Sequence, residues 1–294
     1  MAIGPDIRGP AILIGLDIGG TKCMAAAADG TGTILRRVRA ATPVALDEGL
    51  ALLERLALEV AAGAPIAAIG ATAGGPMDSD AGVVSPLHQP AWHGVPLKAI
   101  VERRFGCPFR VDVDTNAAAL AECRFGGADP ARLLYLTLST GMGGGFVVDG
   151  RVYRGAGGAH PEVGHQVVPA CSPRAAAATC ACGATGCLEA LVSGNGIRRL
   201  YDKPAEELAE REWAEVATHL GHGLRNVAAI YAPATIVLGG GVAVGGGQPL
   251  LETATRVMRD GLRLVPPPVV KISALGYDTA LHGAIALALS AIEG

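Results

Sequence analysis

Aromatic residues are scarce: Phe, Trp and Tyr together make up 4% of the 294 residues. With so few rings, the interior must be filled by Ala, Val and Leu, and the 50% hydrophobic content is ample for that. Charge is sparse as well, with 24 basic against 27 acidic side chains, a net charge of −3 and no basic run. That balance argues against a nucleic acid or an anionic membrane surface as partner. No uninterrupted apolar stretch reaches the roughly 18 residues of a membrane-spanning helix, and the opening MAIGPDIRGP has no apolar core of a signal peptide. A soluble, cytoplasmic protein is the expectation. A P-loop of the form Gly-x-x-x-x-Gly-Lys-Ser/Thr is absent too. The seven cysteines are an odd number in a chain without a secretion signal, which speaks against a disulfide framework. Cys23, Cys107 and Cys123 lie in apolar or helical contexts and suit small core positions.

What is present is a pattern that occurs twice. The apolar run Ile12 to Asp17 leads into Ile18-Gly19-Gly20-Thr21-Lys22, then a strand Cys23 to Ala28, an Asp29-Gly30 turn and a third strand Thr33 to Val38. Further on, Leu133 to Leu138 leads into Ser139-Thr140-Gly141-Met142-Gly143-Gly144-Gly145, then a strand Phe146 to Val148 and an Asp149-Gly150 turn. A glycine turn between strands can present backbone N–H groups to phosphate oxygens without a Cβ in the way. Read alone, each turn could equally be a tight hairpin needing positive φ. The repetition favours two related domains that grip one nucleotide.

Helical spacing at Leu46, Leu50, Leu53, Leu56, Ala57 and Val60 predicts an amphipathic helix. A strand Ile66 to Ala71, a helix Leu97 to Phe105, a strand Phe109 to Val113 and a helix Thr115 to Phe125 follow. The second half has a long helix through Trp213, Val216, Leu220, Leu224, Val227 and Tyr231, a strand Thr235 to Leu238 and a helix Leu250 to Leu264. A strand Val269 to Leu275 and a last helix Thr279 to Ile292 complete it. This predicts an α/β fold of two domains, each a βββαβαβα mixed sheet with helices on its faces. Residues 1–126 plus a C-terminal helix 279–294 would form the smaller domain, and 127–278 the larger, with an insertion at about 155–193.

Six segments, in this order over nearly the whole chain, resemble the ROK group of sugar kinases, named for repressors, open reading frames and kinases. They are LDIGGTK at 16–22, DTNAAALAE at 114–122, STGMGGG at 139–145, PEVGH at 161–165, CACGATGCLEA at 180–190 and IVLGGGV at 236–242. The resemblance implies the actin-like (ribonuclease H-like) ATPase fold, a cleft between two domains, and ATP-dependent phosphorylation of a hexose at its 6-hydroxyl. It also implies a final helix that packs back onto the N-terminal domain, and a homodimer or homotetramer.

By the same resemblance Asp114 is the general base, Asp17 orients Mg²⁺-bound water, and Gly19, Gly20, Thr21 and Lys22 meet phosphates from one side. Thr140, Gly141 and Gly143 do so from the other, and Gly239, Gly240 and Gly241 let adenosine approach the backbone. The plainer reading of Asp114 is an N-cap of the helix that follows it. Sugar hydroxyls are assigned to Glu162, His165 and Glu189, with Gly75, His88 and Val113 at the substrate. Carboxylates accept two hydroxyl protons each, which suits that task.

His165, Cys180, Cys182 and Cys187 make a Cys₃His set suited to structural tetrahedral Zn²⁺, and the family places zinc there. The stretch Cys171 to Ala178 lengthens the spacing between His165 and Cys180 beyond the family's usual one. It is read as a loop insertion, with Cys171 a bystander.

Three positions depart from the glucokinase-like pattern. Val113 and His88 stand where Asn is usual, and His160-Pro161 replaces Ala-Gly before Glu162. Glucose itself, an amino sugar such as 3-amino-3-deoxyglucose or an N-acetylhexosamine, and fructose therefore all stay open as substrates. A sugar-responsive regulator without catalysis is the alternative of another class. DNA-binding members of the family carry a winged helix-turn-helix ahead of the first phosphate loop, where about ten residues stand here.

Overall fold

The computed structural model describes residues 11–87, 89–129 and 131–293. It divides into two compact units, residues 1–125 with 278–294, and residues 126–277. In the first unit β1 (Ile12–Ile18), β2 (Lys22–Ala28) and β3 (Ile34–Ala41) form an antiparallel meander. Helix α1 (Leu46–Ala61) carries the chain to β4 (Ile66–Ala73), which runs parallel to β1. A small ribbon of β5 (Met77–Asp78) and β6 (Val83–Val84) and helix α2 (Leu97–Phe105) lead to β7 (Phe109–Val113), parallel to β4, and then to α3 (Asp114–Arg124). The sheet order is β3-β2-β1-β4-β7.

The second unit repeats this plan. Strands β8 (Arg132–Leu138), β9 (Met142–Val148) and β10 (Arg151–Val152) are again an antiparallel meander. The segment between β10 and the next long helix contains short helices α4 (Pro173–Ala176), α5 (Glu189–Val192) and α6 (Gly194–Tyr201). Then come α7 (Glu210–Tyr231), β11 (Thr235–Gly239), α8 (Gly241–Gly261) and β12 (Val269–Ile272), with β11 parallel to both β8 and β12. The order β10-β9-β8-β11-β12 has the same topology as the first sheet.

The last helix, α9 (Thr279–Glu293), belongs to the first unit and packs on β1, β4, β7 and α3. The contact is close because its residues are small. Gly283 lies so near Ala117 that a Cβ there would meet the Ala117 carbonyl carbon at 2.9 Å. Alanine and glycine thus substitute for rings in the core, as the composition requires. Trp92, fully buried against Gly49 of α1, is an exception in this unit. Among the described residues no helix is long and apolar enough to cross a membrane.

Several element bounds differ from the sequence reading, each for a local reason. The second turn is only Ser139–Gly141, since Gly143, Gly144 and Gly145 are strand residues paired with Thr137, Leu136 and Tyr135. Helix α8 starts at Gly241, not near Leu250. It is broken at Gly247 (φ 53°, ψ −146°) two residues before Pro249, which is why GVAVGGGQP has no helical signature. Helix α3 starts at Asp114 itself, with Val113 as the N-cap residue.

Candidate active site

In the first unit the predicted residues gather at the C-terminal ends of the parallel strands, where open α/β sheets bind ligands. Asp17 is the penultimate residue of β1 and pairs in register with Thr72 of β4, whose hydroxyl donates to Asp17 Oδ1 at 2.8 Å. Burial raises the Asp17 carboxyl above its ordinary range and the Asp114 charge adds to that, while the Thr72 bond and Lys22 oppose it. A half-buried carboxylate with a second carboxylate beside it suits a divalent cation, whose charge would reverse the burial penalty. The turn between β1 and β2 is closed by Gly19 N–H donating to Lys22 O at 3.1 Å and by Thr42 Oγ1 donating to Gly19 O at 2.6 Å. Gly19 is required by close approach and not by a positive φ, because a Cβ would meet Lys22 O at 2.8 Å.

Asp114 follows β7 directly. Its Oδ1 accepts from the Thr115 N–H at 2.7 Å, a contact with its own neighbour and not the N2 or N3 bond of an N-cap. Val113 is buried, and its Cγ1 lies 3.4 Å from where a Cβ of Gly75 would be, so these two predicted substrate positions adjoin. The peptide between Gly75 and Pro76 is cis. His88 lies outside the described residues.

In the second unit Ser139 and Thr140 of the β8–β9 turn, and Gly241 and Val242 at the start of α8, line one cavity of about 920 Å³. Asn195, Arg198, Glu206 and Trp213 line it further along. Gly239 and Gly240 are not among its lining residues. They face inward, where a Cβ would meet Tyr135 Oη at 2.1 Å and Leu138 O at 2.3 Å respectively, and Gly240 has φ 87°. They let β11 turn into α8 tightly against β8, and so place Gly241. Trp213 and Arg198 were not distinguishable in the sequence, where Trp213 looked like one more residue of a helix face. The glycines of Ser193-Gly194-Asn195-Gly196 were the available signal for a helix start beside a ligand.

The four predicted metal ligands come together: His165, Cys180, Cys182 and Cys187 place one donor atom each within 4.8 Å of one another. Cys182 Sγ and Cys187 Sγ are 3.7 Å apart and not joined in a disulfide. That matches the edge, about 3.8 Å, of a tetrahedron with metal–sulfur bonds of about 2.3 Å. His165 turns Nδ1 toward Cys180 Sγ at 3.6 Å, and its Nε2 faces Glu162 Oε2 at 3.9 Å. Burial and the neighbouring sulfurs push the Cys187 thiol up to about 12, whereas the Ala184 amide and Cys180 lower that of Cys182. Three thiols this close resist joint ionisation unless a cation joins them, so the donor set fits Zn²⁺. Cys171 is not part of the cluster. Its N–H donates to Nε2 of the buried His219 at 3.0 Å, and Ser172 caps α4 and bonds Glu215. The insertion is therefore a small helix anchored on α7.

Glu189 is two residues past Cys187. Its Oε2 accepts from the Met142 N–H at 3.0 Å, and its Oε1 lies 3.6 Å from Cys180 Sγ. His160 Nε2 is 3.5 Å from Glu162 Oε1.

Two sheets of one topology, each opening on a glycine turn and a strand-end acid or cavity, define an actin-like ATPase fold. The chain belongs to the ROK family, whose profile matches residues 13–291. It is similar to a ROK hexokinase from Thermus thermophilus, with a TM-score of 0.82, 33% identity and coverage of 96% of this chain and 100% of that one. It is also similar to a ROK family glucokinase from Streptomyces griseus in complex with glucose and AMPPNP, with a TM-score of 0.76, 29% identity and coverage of 95% and 100%. A glucokinase of Streptomyces coelicolor is 30% identical, over 94% of this chain and 97% of its own length. A kanosamine kinase of Amycolatopsis mediterranei is 30% identical as well, over 94% and 95%.

Proposed function

We propose that the protein is an ATP-dependent hexose kinase that transfers the γ-phosphoryl group to the 6-hydroxyl of a glucose-type sugar. The observation that carries this reading is the cavity shared by Ser139, Thr140, Gly241 and Val242. Two glycine motifs far apart in sequence meet there, and Trp213 and Arg198 offer a flat base an aromatic ring and a guanidinium. The similar glucokinase binds an ATP analogue, which supports the same donor here.

Asp114 is assigned as general base. It takes the proton of the sugar's 6-hydroxyl while the oxygen bonds to the γ-phosphorus and the bond to the β-phosphate oxygen breaks, leaving ADP. Mg²⁺, when bound, neutralises phosphate charge. Asp17 would orient its water shell, and Gly19, Gly20, Thr21, Lys22, Thr140, Gly141 and Gly143 are assigned to the phosphates. Gly241 is assigned to the adenosine, with Gly239 and Gly240 setting its position from behind. Gly75, Val113, Glu162, His165 and Glu189 are assigned to the sugar, and zinc on His165, Cys180, Cys182 and Cys187 holds the segments that carry Glu162 and Glu189. His88 is assigned to the sugar by sequence alone. A homodimer or homotetramer in the cytoplasm is the expected form.

The substrate is read as glucose-type, with an amino sugar as the favoured variant. Val113 is the reason, since a buried valine replaces an amide beside Gly75, and one relative of equal identity is a kanosamine kinase. The test is ADP release with Mg-ATP over glucose, 3-amino-3-deoxyglucose, N-acetylhexosamines, mannose and fructose. Turnover on one of them, reduced about 10²–10⁴-fold by Asp114→Asn with nucleotide binding retained, is the expected outcome. Silence on every sugar from protein that binds ATP would replace the kinase with a sugar-responsive regulator.

A further inference from the structure

The turn Ser139–Gly141 is held on both sides by one stretch of chain, Glu189 to Asn195. The Gly194 N–H donates to Ser139 O at 2.7 Å and the Asn195 N–H to Thr140 O at 3.0 Å, both from the start of α6. Ser193, fully buried, fixes that helix start by accepting from the Gly196 N–H. On the other side Glu189 Oε2 accepts from the Met142 N–H at 3.0 Å, the first residue after the turn. A Cβ on Gly141 would stand 3.0 Å from the same oxygen. With two carbonyls and one amide engaged, the peptide planes of the turn cannot rotate without breaking these bonds. Glu189 in turn belongs to the metal cluster's own chain, two residues after Cys187, with Oε1 near Cys180 Sγ. Gly164, beside His165, packs so tightly that a Cβ would meet Met142 O at 2.6 Å and Glu189 Cβ at 3.4 Å. Both metal-bearing segments therefore close on Met142.

We infer that Glu189 is a positioning residue for the nucleotide turn, and that through it metal occupancy of the Cys₃His cluster sets the affinity for nucleotide even with no sugar present. This rests on the reading of Ser139–Gly141 as part of the nucleotide site. A carboxylate that served the sugar alone would leave nucleotide binding in sugar-free protein unmoved. One with a second oxygen on Met142 does not.

The experiment is calorimetric titration of the full-length protein with Mg-ADP, without sugar, alongside measured metal content and circular dichroism. Wild type, Glu189→Gln and Glu189→Ala are compared, each as purified and after chelation. Glu189→Ala is expected to weaken ADP binding about tenfold, the scale of one lost hydrogen bond to a charged group. Glu189→Gln, which keeps an acceptor, should lose less than about threefold. Chelation should weaken ADP binding by the wild type yet add little to Glu189→Ala, because both act on the same link. Equal ADP affinity in wild type and folded Glu189→Ala would overturn the inference and leave the kinase reading standing. Should Glu189→Ala not fold, an ADP affinity of wild type and Glu189→Gln that chelation leaves unchanged overturns it equally. Wild type that binds no ADP at all would overturn the kinase reading, and this inference with it.

Discussion

Asn116 donates its Nδ2 to Asp112 Oδ1 at 3.0 Å, one turn into α3 from the end of β7. The same oxygen accepts the Val113 N–H at 2.8 Å, and Ser79 Oγ stands 3.5 Å from it. Asp112 and Asn116 are both buried, at 2% and 1% exposure. Between them lie Val113 and Asp114, so this pair fixes the direction in which the proposed base leaves the strand. Truncation by Asn116→Ala removes a hydrogen bond to a buried charge and should cost about 1.5–3 kcal/mol in urea unfolding. It should also lower kcat more than it raises KM for ATP. Asn116→Asp loses the amide donor and sets a second carboxylate oxygen against Asp112, so it should cost more than Asn116→Ala. Unchanged kcat in a destabilised Asn116→Ala would reduce the pair to a packing role.

Val113 bears on which sugar is used. It is buried beside Gly75, where it offers no hydrogen bond to a ring substituent. Val113→Asn restores an amide there. A site built to pair a hydroxyl gains selectivity on the scale of one hydrogen bond, so kcat/KM for glucose relative to 3-amino-3-deoxyglucose should shift by about tenfold or more. An unchanged ratio, with folded protein, would remove Val113 from the specificity argument.

The fold was readable because its signals are local. Strand ends sit beside Asp-Gly or Gly-Gly pairs, and α1 and α7 keep a clean apolar spacing, so both meanders and the duplicated α/β plan follow from the residues themselves. The cysteine spacing was equally direct, because a Cys-x-Cys-x₄-Cys run can close on itself. What stayed hidden is what depends on close approach between distant residues. Glycines 19 and 141 looked like positive-φ turn residues, yet what marks them is close approach: a Cβ would stand 2.8 Å from the backbone oxygen of Lys22 at Gly19 and 3.0 Å from the Glu189 carboxylate at Gly141. The bond from Met142 to Glu189 spans 47 residues and has no periodicity to betray it. Helix α8 was half missed because glycine and proline at its kink erase the helical pattern.

Asp17 predicts an exchange of stability for function. Its carboxyl is raised above the ordinary 3.8, chiefly by burial, so the folded state binds more protons than the unfolded state over the window above that value. By linkage, stability then falls as pH rises through the window, and at neutral pH the ionised Asp17 is a cost to folding. Asp17→Asn removes the charge while its amide oxygen can still accept from Thr72 Oγ1. In the absence of magnesium and nucleotide, the variant should melt at a higher temperature than wild type at pH 7. The gain should shrink as the pH falls toward 4, while kinase turnover is lost. A variant that melts lower than wild type at pH 7 would show that what favours the charge, the Thr72 hydroxyl and Lys22, outweighs the burial penalty.

Gly70 sits in the middle of β4 under α9, and a Cβ built on it would lie 2.0 Å from Ala284 O and 2.5 Å from Ala288 N. These are backbone atoms of a helix and cannot swing aside as a side-chain tip would. Gly70→Ala must therefore lift α9 from the sheet, exposing Leu281, Ile285 and Ala288, which are buried with Leu13 and Ala68. Overpacking of a core by a methyl group costs about 1–3 kcal/mol, and the upper end or beyond is expected here because no rotamer change relieves it. Gly15 in β1 faces the same helix more loosely, its Cβ position 3.0 Å from Ile285 Cγ1, so Gly15→Ala should fall between. Gly74, where a Cβ would meet only Pro86 Cβ at an ordinary 3.6 Å, serves as control. Thermal unfolding and limited proteolysis at the C-terminus should rank the three Gly70→Ala, Gly15→Ala, Gly74→Ala from most to least disruptive. Equal stability of Gly70→Ala and Gly74→Ala would mean that α9 can shift on the sheet at no cost, and that its close docking is not what keeps the C-terminus on the first unit.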